Sequence, residues 1–302
     1  MKVTAFPFYT PPFPEYNVAQ AAAIPFLDKD VNIVVSFSTA AGKTVLAECC
    51  FAYHLQTNSE CRVAYVCPFR SLAAEKYKEW MEEFQLSRFG LVLGTGDSSA
   101  GIKEHEAARL VLATLESFDA KTRSPHWRDF MSSMACVVYD EAHLLGDKGR
   151  GGALESAMMR FSSINPSARM VLLSATMGNS MEVARWVKSL NGKPTKNVTS
   201  NWKPTEVRTQ FVVAEGYNEK VEEAVKIASN SVGKKTIVFV HSKVTGADIL
   251  KRLRSMGVRS AFHNASVTVG KRKKIEDAFG DSSSGLDVLV STSTLGAGVN
   301  LS

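Results

Sequence analysis

The sequence predicts an α/β protein of two tandem parallel-sheet units. Three observations carry that reading. Short apolar runs recur along the first two thirds of the chain: Asn32–Phe37, Arg62–Cys67, Arg109–Ala113, Ala135–Tyr139 and Arg169–Leu173. Helical patterns such as Val45–Leu55, Leu72–Phe84 and Met181–Leu190 lie between them. Strands that read as continuous hydrophobes with helices between them belong to a parallel sheet covered on both faces. The pattern then breaks at Asn191-Gly192-Lys193-Pro194 and at Asn201-Trp202-Lys203-Pro204. It restarts with Val207–Val213, Lys235–Val240, Val258–Phe262 and Leu286–Ser291, so residues 1–200 are read as the first unit and 201–302 as the second.

At 302 residues the chain is long enough for two cores, because single cores stop growing near that size. No apolar run approaches the roughly 18 residues that would span a bilayer. The start, Phe6-Pro7-Phe8-Tyr9 and Pro11-Pro12-Phe13-Pro14, lacks the charged-then-apolar order of a signal peptide. The five cysteines (Cys49, Cys50, Cys61, Cys67, Cys136) sit in apolar runs without metal-ligand spacing. A reduced, intracellular protein, cytoplasmic or nuclear, with buried thiols and no membrane contact is expected. Net charge is +6, and from residue 204 onward 14 lysines and arginines face 10 acids. That bias permits a polyanion partner, although a solvated surface has the same counts.

Two motifs carry chemistry. Phe37-Ser-Thr39-Ala40-Ala41-Gly42-Lys43-Thr44 follows a strand and opens a helix, the context in which backbone N–H groups surround phosphates. Phe37 stands where the full phosphate-binding pattern has its first glycine. Lys43 would reach the β- and γ-phosphates and Thr44 would ligate Mg²⁺. About a hundred residues later a buried strand ends in Asp140-Glu141-Ala142-His143. Paired acids there are costly unless they meet a cation or protons. Asp140 is assigned to Mg²⁺ and Glu141 to orienting and deprotonating the attacking water. ATP and Mg²⁺ are therefore the expected cofactors.

Further segments, in order, resemble the superfamily 2 DExH helicases of the superkiller-like branch, shared by archaeal-type DNA repair helicases and RNA-surveillance helicases. Pro68-Phe-Arg70-Ser-Leu72-Ala-Ala-Glu75-Lys76 resembles motif Ia and Ser174-Ala175-Thr176 motif III. Ile237-Val-Phe-Val-His241-Ser242-Lys243 resembles motif IV, and Phe262-His263 followed by Ala265 the next segment. Ser291-Thr292-Ser293-Thr294-Leu-Gly-Ala-Gly298-Val-Asn300-Leu resembles motif V, and Gly94-Thr95-Gly96-Asp97 motif Ib.

The resemblance implies two tandem RecA-like domains and a role for each motif. Gln20 would read adenine, and Thr39, Ala40, Ala41, Gly42, Lys43, Thr44 and Gly298 would surround the nucleotide. Pro68, Arg70, Thr114, His241, Thr292 and Ser293 would hold phosphates of a single strand, contacts that fix position without reading sequence. His143, Ser174 and Thr176 would couple nucleotide state to domain movement. Trp202-Lys203-Pro204 reads as a hinge anchor or as a packed linker tryptophan. The basic run Lys271–Lys274 reads as a solvated helix face.

The resemblance also implies a sixth motif, with arginines for the γ-phosphate, a few tens of residues beyond motif V. The chain stops at Ser302, so a second domain incomplete at its C-terminus and slow turnover by this stretch alone are expected. An ATP-dependent helicase or translocase motor core acting as a monomer on single strands is the favoured reading. A nucleotide-regulated binding module without unwinding activity is the alternative. DNA is favoured over RNA because residues 85–135 show no long inserted domain.

Overall fold

The computed structural model describes residues 5–95, 101–231 and 233–295. Two compact units divide the chain, Met1–Glu206 and Val207–Ser302. In the first, strands β1 (Asn32–Phe37), β2 (Arg62–Cys67), β3 (Leu91–Gly94), β4 (Leu110–Thr114), β5 (Met134–Tyr139), β6 (Arg169–Ser174) and β7 (Thr195–Ser200) form one sheet in the order β3-β4-β2-β5-β6-β1-β7. Every pairing is parallel, so all strand C-termini share one edge.

The helices of this unit are α1 (Val18–Ala23), α2 (Thr44–Thr57), α3 (Arg70–Glu82), α4 (Phe84–Ser87), α5 (Ile102–Ala107), α6 (Leu115–Arg123), α7 (Arg128–Ser132), α8 (Gly151–Ile164) and α9 (Ser180–Asn191). Strand side chains alternate between two cores. Ile33, Val35, Phe37, Val63 and Tyr65 pack with Leu46, Phe51 and Trp80 of α2 and α3. Val34, Ala64 and Val66 pack with Phe118, Met158, Phe161 and Val187 of α6, α8 and α9. Both sheet faces are dry, which explains the near-continuous apolar strands. Phe37 is fully buried, so the position where a phosphate loop usually has glycine serves the core here.

Arg169, also fully buried, donates to the carbonyls of Val31, Leu27 and Phe26 at 2.7, 2.6 and 2.6 Å. It ties the turn before β1 to the sheet. All five cysteines are free and buried, as expected. Among the described residues no helix is long and apolar enough to cross a membrane.

Two strands escaped the sequence reading, and both are edges. β3 offers only three apolar residues, and β7 is polar except for Val198. A half-covered edge needs no continuous apolar run. β7 also pairs along the whole of β1, so the segment read as a break completes the first sheet.

The second unit pairs β8 (Thr236–Phe239), β9 (Ser260–His263) and β10 (Val288–Ser291) in the parallel order β8-β10-β9. Helices α10 (Gly216–Ser229) and α11 (Lys243–Ser255) pack Val221, Val225, Ile249 and Leu253 against Val288 and Val290. Helix α12 (Val269–Gly280) sends Phe279 against Leu289 and Leu295 in a separate small cluster. The expected strand Val207–Val213 is not one: the segment is irregular, and Phe211 and Val213 are 90% and 91% exposed. It pairs with none of the described strands, and alternation alone does not hold a strand without a neighbour's backbone.

Candidate nucleotide and nucleic-acid sites

The loop from β1 to α2 is built by conformation as much as by sequence. Ala40 and Gly42 both lie in the left-handed region, at φ 63° and 71°. A Cβ on Gly42 would come within 2.4 Å of Gln20 Nε2, so glycine is required by φ and by space. Gln20 is buried at 3% exposure and holds the loop directly: its Nε2 donates to Gly42 O at 3.0 Å. Asn17 Nδ2 donates to Ala41 O at 3.1 Å. Asn17 and Gln20 also cap α1 reciprocally, each side chain accepting from the other's backbone N–H at 2.9 and 3.0 Å. One N–H and one lone pair of the Gln20 amide remain for a ligand. The sequence reading missed Asn17, although Asn three residues before Gln is a capping-box signal.

Lys43 Nζ donates to Ser38 O at 3.3 Å. Burial lowers its pKa, while Glu141 and Asp140 both act to raise it. The lysine and the two acids therefore occupy one electrostatic neighbourhood, although β1 and β5 are separated by β6. Asp140 is anchored at both oxygens: Oδ2 accepts from the Tyr65 hydroxyl and Oδ1 from the Glu141 N–H. Tyr65 was not anticipated; a tyrosine in mid-strand among aliphatic residues was the available signal. Its buried hydroxyl has its pKa pushed well up by desolvation and then by Asp140.

Glu141 is one of two non-glycine described residues with positive φ, at 53°, a conformation costing about 1–3 kcal/mol that concentrates at working sites. Desolvation, then Asp140, raise its carboxyl above the ordinary value of 4.5, while His143 and Lys43 act the other way. His143 Nδ1 lies 3.3 Å from Glu141 Oε2, with the ring exposed.

The edge of β6 is laced to β1. Ser36 and Ser174 are in register; Ser36 Oγ accepts from Met177 N–H at 2.8 Å and donates to Ala175 O at 3.4 Å. Ser174 Oγ donates to Ala175 O at 2.8 Å, and Thr176 is exposed. Ser38 Oγ donates to Trp202 O, and the Trp202 ring packs on the first core. The tryptophan is thus a packed part of the first unit that touches the β1–α2 loop.

Further along the same edge, Pro68 is buried and its carbonyl accepts from Arg150 Nη1 at 2.9 Å. The Arg150 guanidinium lies 4.7 Å from the Phe69 ring centroid, a second role the sequence did not announce. Together they fix the turn from which α3 begins at the exposed Arg70. Thr114 is buried, and its hydroxyl caps α6 by accepting from Ser117 N–H at 3.3 Å. Pro68, Arg70 and Thr114 thus stand at the C-termini of the paired strands β2 and β4.

In the second unit His241 is exposed after β8, and Thr292 and Ser293 follow β10. Lys273 pairs with Asp277 at 3.1 Å on an exposed helix face. Gly298 and Asn300, like Gly96 and Asp97, lie outside the described residues.

Residues 17–183 match the DEAD/DEAH box helicase family and residues 219–302 the helicase conserved C-terminal domain. The chain is 31% identical to the ATP-dependent DNA helicase Hel308 of Thermoplasma acidophilum, covering 93% of this chain and 45% of the relative. It is 27% identical to the ATP-dependent DNA helicase MER3 of Saccharomyces cerevisiae, covering 96% of this chain and 27% of that protein. The DNA-bound crystal structure of the DUF1998 helicase MrfA superposes with a TM-score of 0.76 at 20% identity, over 96% of this chain and 44% of that one. The chain thus spans less than half the length of these relatives. The first of the two matches alone spans more than half of the chain, and the chain belongs to the DEAD/DEAH box helicases.

Proposed function

We propose that this chain is the motor core of an ATP-dependent helicase that grips single-stranded nucleic acid, DNA in preference to RNA, and couples ATP hydrolysis to strand separation. The observation that carries it is the convergence of Lys43 with Asp140 and Glu141, at a strand-to-helix loop with two left-handed residues, Ala40 and Gly42. The similarity to Hel308 and MER3, both named as DNA helicases, supports the DNA preference.

The donor set fits Mg²⁺. The Thr44 hydroxyl and the Asp140 carboxylate, held by Tyr65, supply the hard oxygens that such an ion takes. When bound, that ion neutralises charge on the phosphates. Lys43 balances the β- and γ-phosphates, and Gln20 and Asn17 keep the loop in shape for them. Glu141, its carboxyl raised toward neutrality, accepts the proton of the attacking water. His143, Ser174 and Thr176 report that event to the rest of the molecule. Pro68, Arg70 and Thr114 in the first domain (residues 1–200), and His241, Thr292 and Ser293 in the second (201–302), hold phosphates of the strand. The protein works as a single chain inside the cell, where genomic DNA and its repair intermediates are found.

The test compares equilibrium binding of this chain to DNA and RNA single strands of the same sequence, with Mg-ATP hydrolysis followed alongside. Tighter DNA binding that falls steeply with salt is expected. Equal affinities would overturn the DNA preference, and failure to bind Mg-ATP would overturn the motor.

A further inference from the structure

His263, the last residue of β9, is 1% exposed, and its carbonyl and both ring nitrogens have partners. Its carbonyl accepts from Thr292 N–H at 3.2 Å and from the Ser291 hydroxyl at 3.2 Å. Its ring Nε2 lies 2.9 Å from Glu276 Oε1 on α12, and Nδ1 lies 2.9 Å from Thr294 Oγ1. Thr294 Oγ1 in turn lies 3.3 Å from Thr292 Oγ1. A chain of polar contacts therefore runs from a helix, through a buried imidazole, to the turn after β10.

The order of donors follows from the chemistry of the groups. The carboxylate only accepts, so Nε2 donates toward Glu276 and Nδ1 faces the Thr294 hydroxyl. The Thr294 hydroxyl lies 2.9 Å from Nδ1 and donates to the His263 carbonyl at 3.5 Å, so its hydrogen bonding is directed inward. Toward Thr292 it can only accept, over a distance at the long limit for two hydroxyls. The proton of Thr292 is thus weakly held while its backbone N–H is fixed. Such a hydroxyl is oriented and ready to be claimed by a stronger acceptor.

We propose that Glu276, His263 and Thr294 are positioning residues for strand binding: they hold the turn at Thr292–Thr294 so that the Thr292 hydroxyl is presented, already oriented, to a backbone phosphate. This rests on the reading of Thr292 as a phosphate contact. It adds His263 of β9, Glu276 of α12 and Thr294 of the same turn, none of which touches nucleic acid in this reading. Preorganising a donor in this way removes an ordering cost from binding.

The experiment is equilibrium binding of a fluorescein-labelled oligothymidine to the 302-residue chain, with thermal unfolding followed for every variant. Thr292→Ala should weaken binding roughly tenfold, as loss of a hydrogen bond to a charged group does. Thr294→Val, which keeps shape and removes the hydroxyl, should weaken it by a similar factor. The double variant should be no weaker than either single one, because both remove the same contact. Thr294→Ser should bind within about twofold of the parent. If Thr294→Val fails to fold, Glu276 carries the same prediction: Glu276→Gln keeps an acceptor oxygen and retains affinity, and Glu276→Ala does not. An unchanged affinity in Thr292→Ala would remove the phosphate contact and the positioning proposal with it. A loss in Thr292→Ala with no loss in Thr294→Val and Glu276→Ala, or losses that multiply in the double variant, would overturn the positioning proposal alone.

Discussion

The two units solve the same architectural problem with unequal means. In the first, seven strands among the described residues bury both faces, and several site residues are braced by a neighbour: Gln20 by Asn17, Asp140 by Tyr65, Ser36 by Met177, Pro68 by Arg150. In the second, the described residues form three strands of four residues each that support a smaller core, and Phe211, Val213 and Phe239 stand exposed. Its bracing converges on one buried histidine. Nucleotide chemistry needs charges fixed to fractions of an ångström, and the residues proposed for it sit on the heavier scaffold. The proposed strand contacts are divided between the two, with Pro68, Arg70 and Thr114 on the heavier scaffold and His241, Thr292 and Ser293 on the lighter.

The largest expected effects separate roles inside the braced site. Glu141→Gln should lower turnover by about 10²–10⁴-fold, the span of general-base catalysis, while Mg-ATP affinity stays. Lys43→Ala should abolish most of that affinity, since the triphosphate loses its fixed cation. Calorimetric titration with Mg-ATP checks both, and equal loss of affinity in the two would break the assignment. The raised Glu141 carboxyl adds a pH signature. Turnover should fall on acidification at a higher pH than an ordinary carboxylate would give. A raised carboxyl stabilises the fold fully below its ordinary value of 4.5 and loses that contribution as pH rises through its folded value. Glu141→Gln should therefore have a higher melting temperature than the parent at neutral pH, and no such advantage below about pH 4.

The next effect tests the contrast itself. Amide exchange should be protected longest in β1, β2, β5 and β6 and should be faster by orders of magnitude in β8, whose side chains are at best half buried. Uniform protection across both sheets would contradict the comparison. Smaller again is the effect of Gly42→Ala. It should weaken Mg-ATP binding, because a Cβ there meets both a φ of 71° and Gln20 Nε2 at 2.4 Å. The smallest is Arg70→Ala, which should weaken strand binding at all sequences and flatten the salt slope by about 0.7, one phosphate on a single strand.

What the sequence disclosed follows the same division. The central strands were legible because burial on both faces leaves an uninterrupted apolar run, and Gly42-Lys43-Thr44 and Asp140-Glu141 were legible because few arrangements justify such residues there. The edges β3 and β7 were not, since a half-covered strand has no obligation to be apolar. Val207–Val213 misled for the converse reason, having an alternating pattern with no partner strand. The bracing residues Asn17, Tyr65, Arg150 and His263 were the hardest to see. Apart from the Asn17–Gln20 cap, each acts on a residue distant in sequence, and only folding brings Arg150 to Pro68 or Glu276 to His263.

The central claim is that nucleotide and strand are coupled through this chain. Its most direct test is anisotropy titration of labelled oligothymidine, without nucleotide and with a saturating non-hydrolysable ATP analogue and Mg²⁺. Coupling free energies between linked sites correspond to about 5–150-fold in affinity. The account predicts a shift in Kd within that span, absent in Lys43→Ala. The same Kd with and without the analogue, in a chain shown to bind it, would contradict a motor.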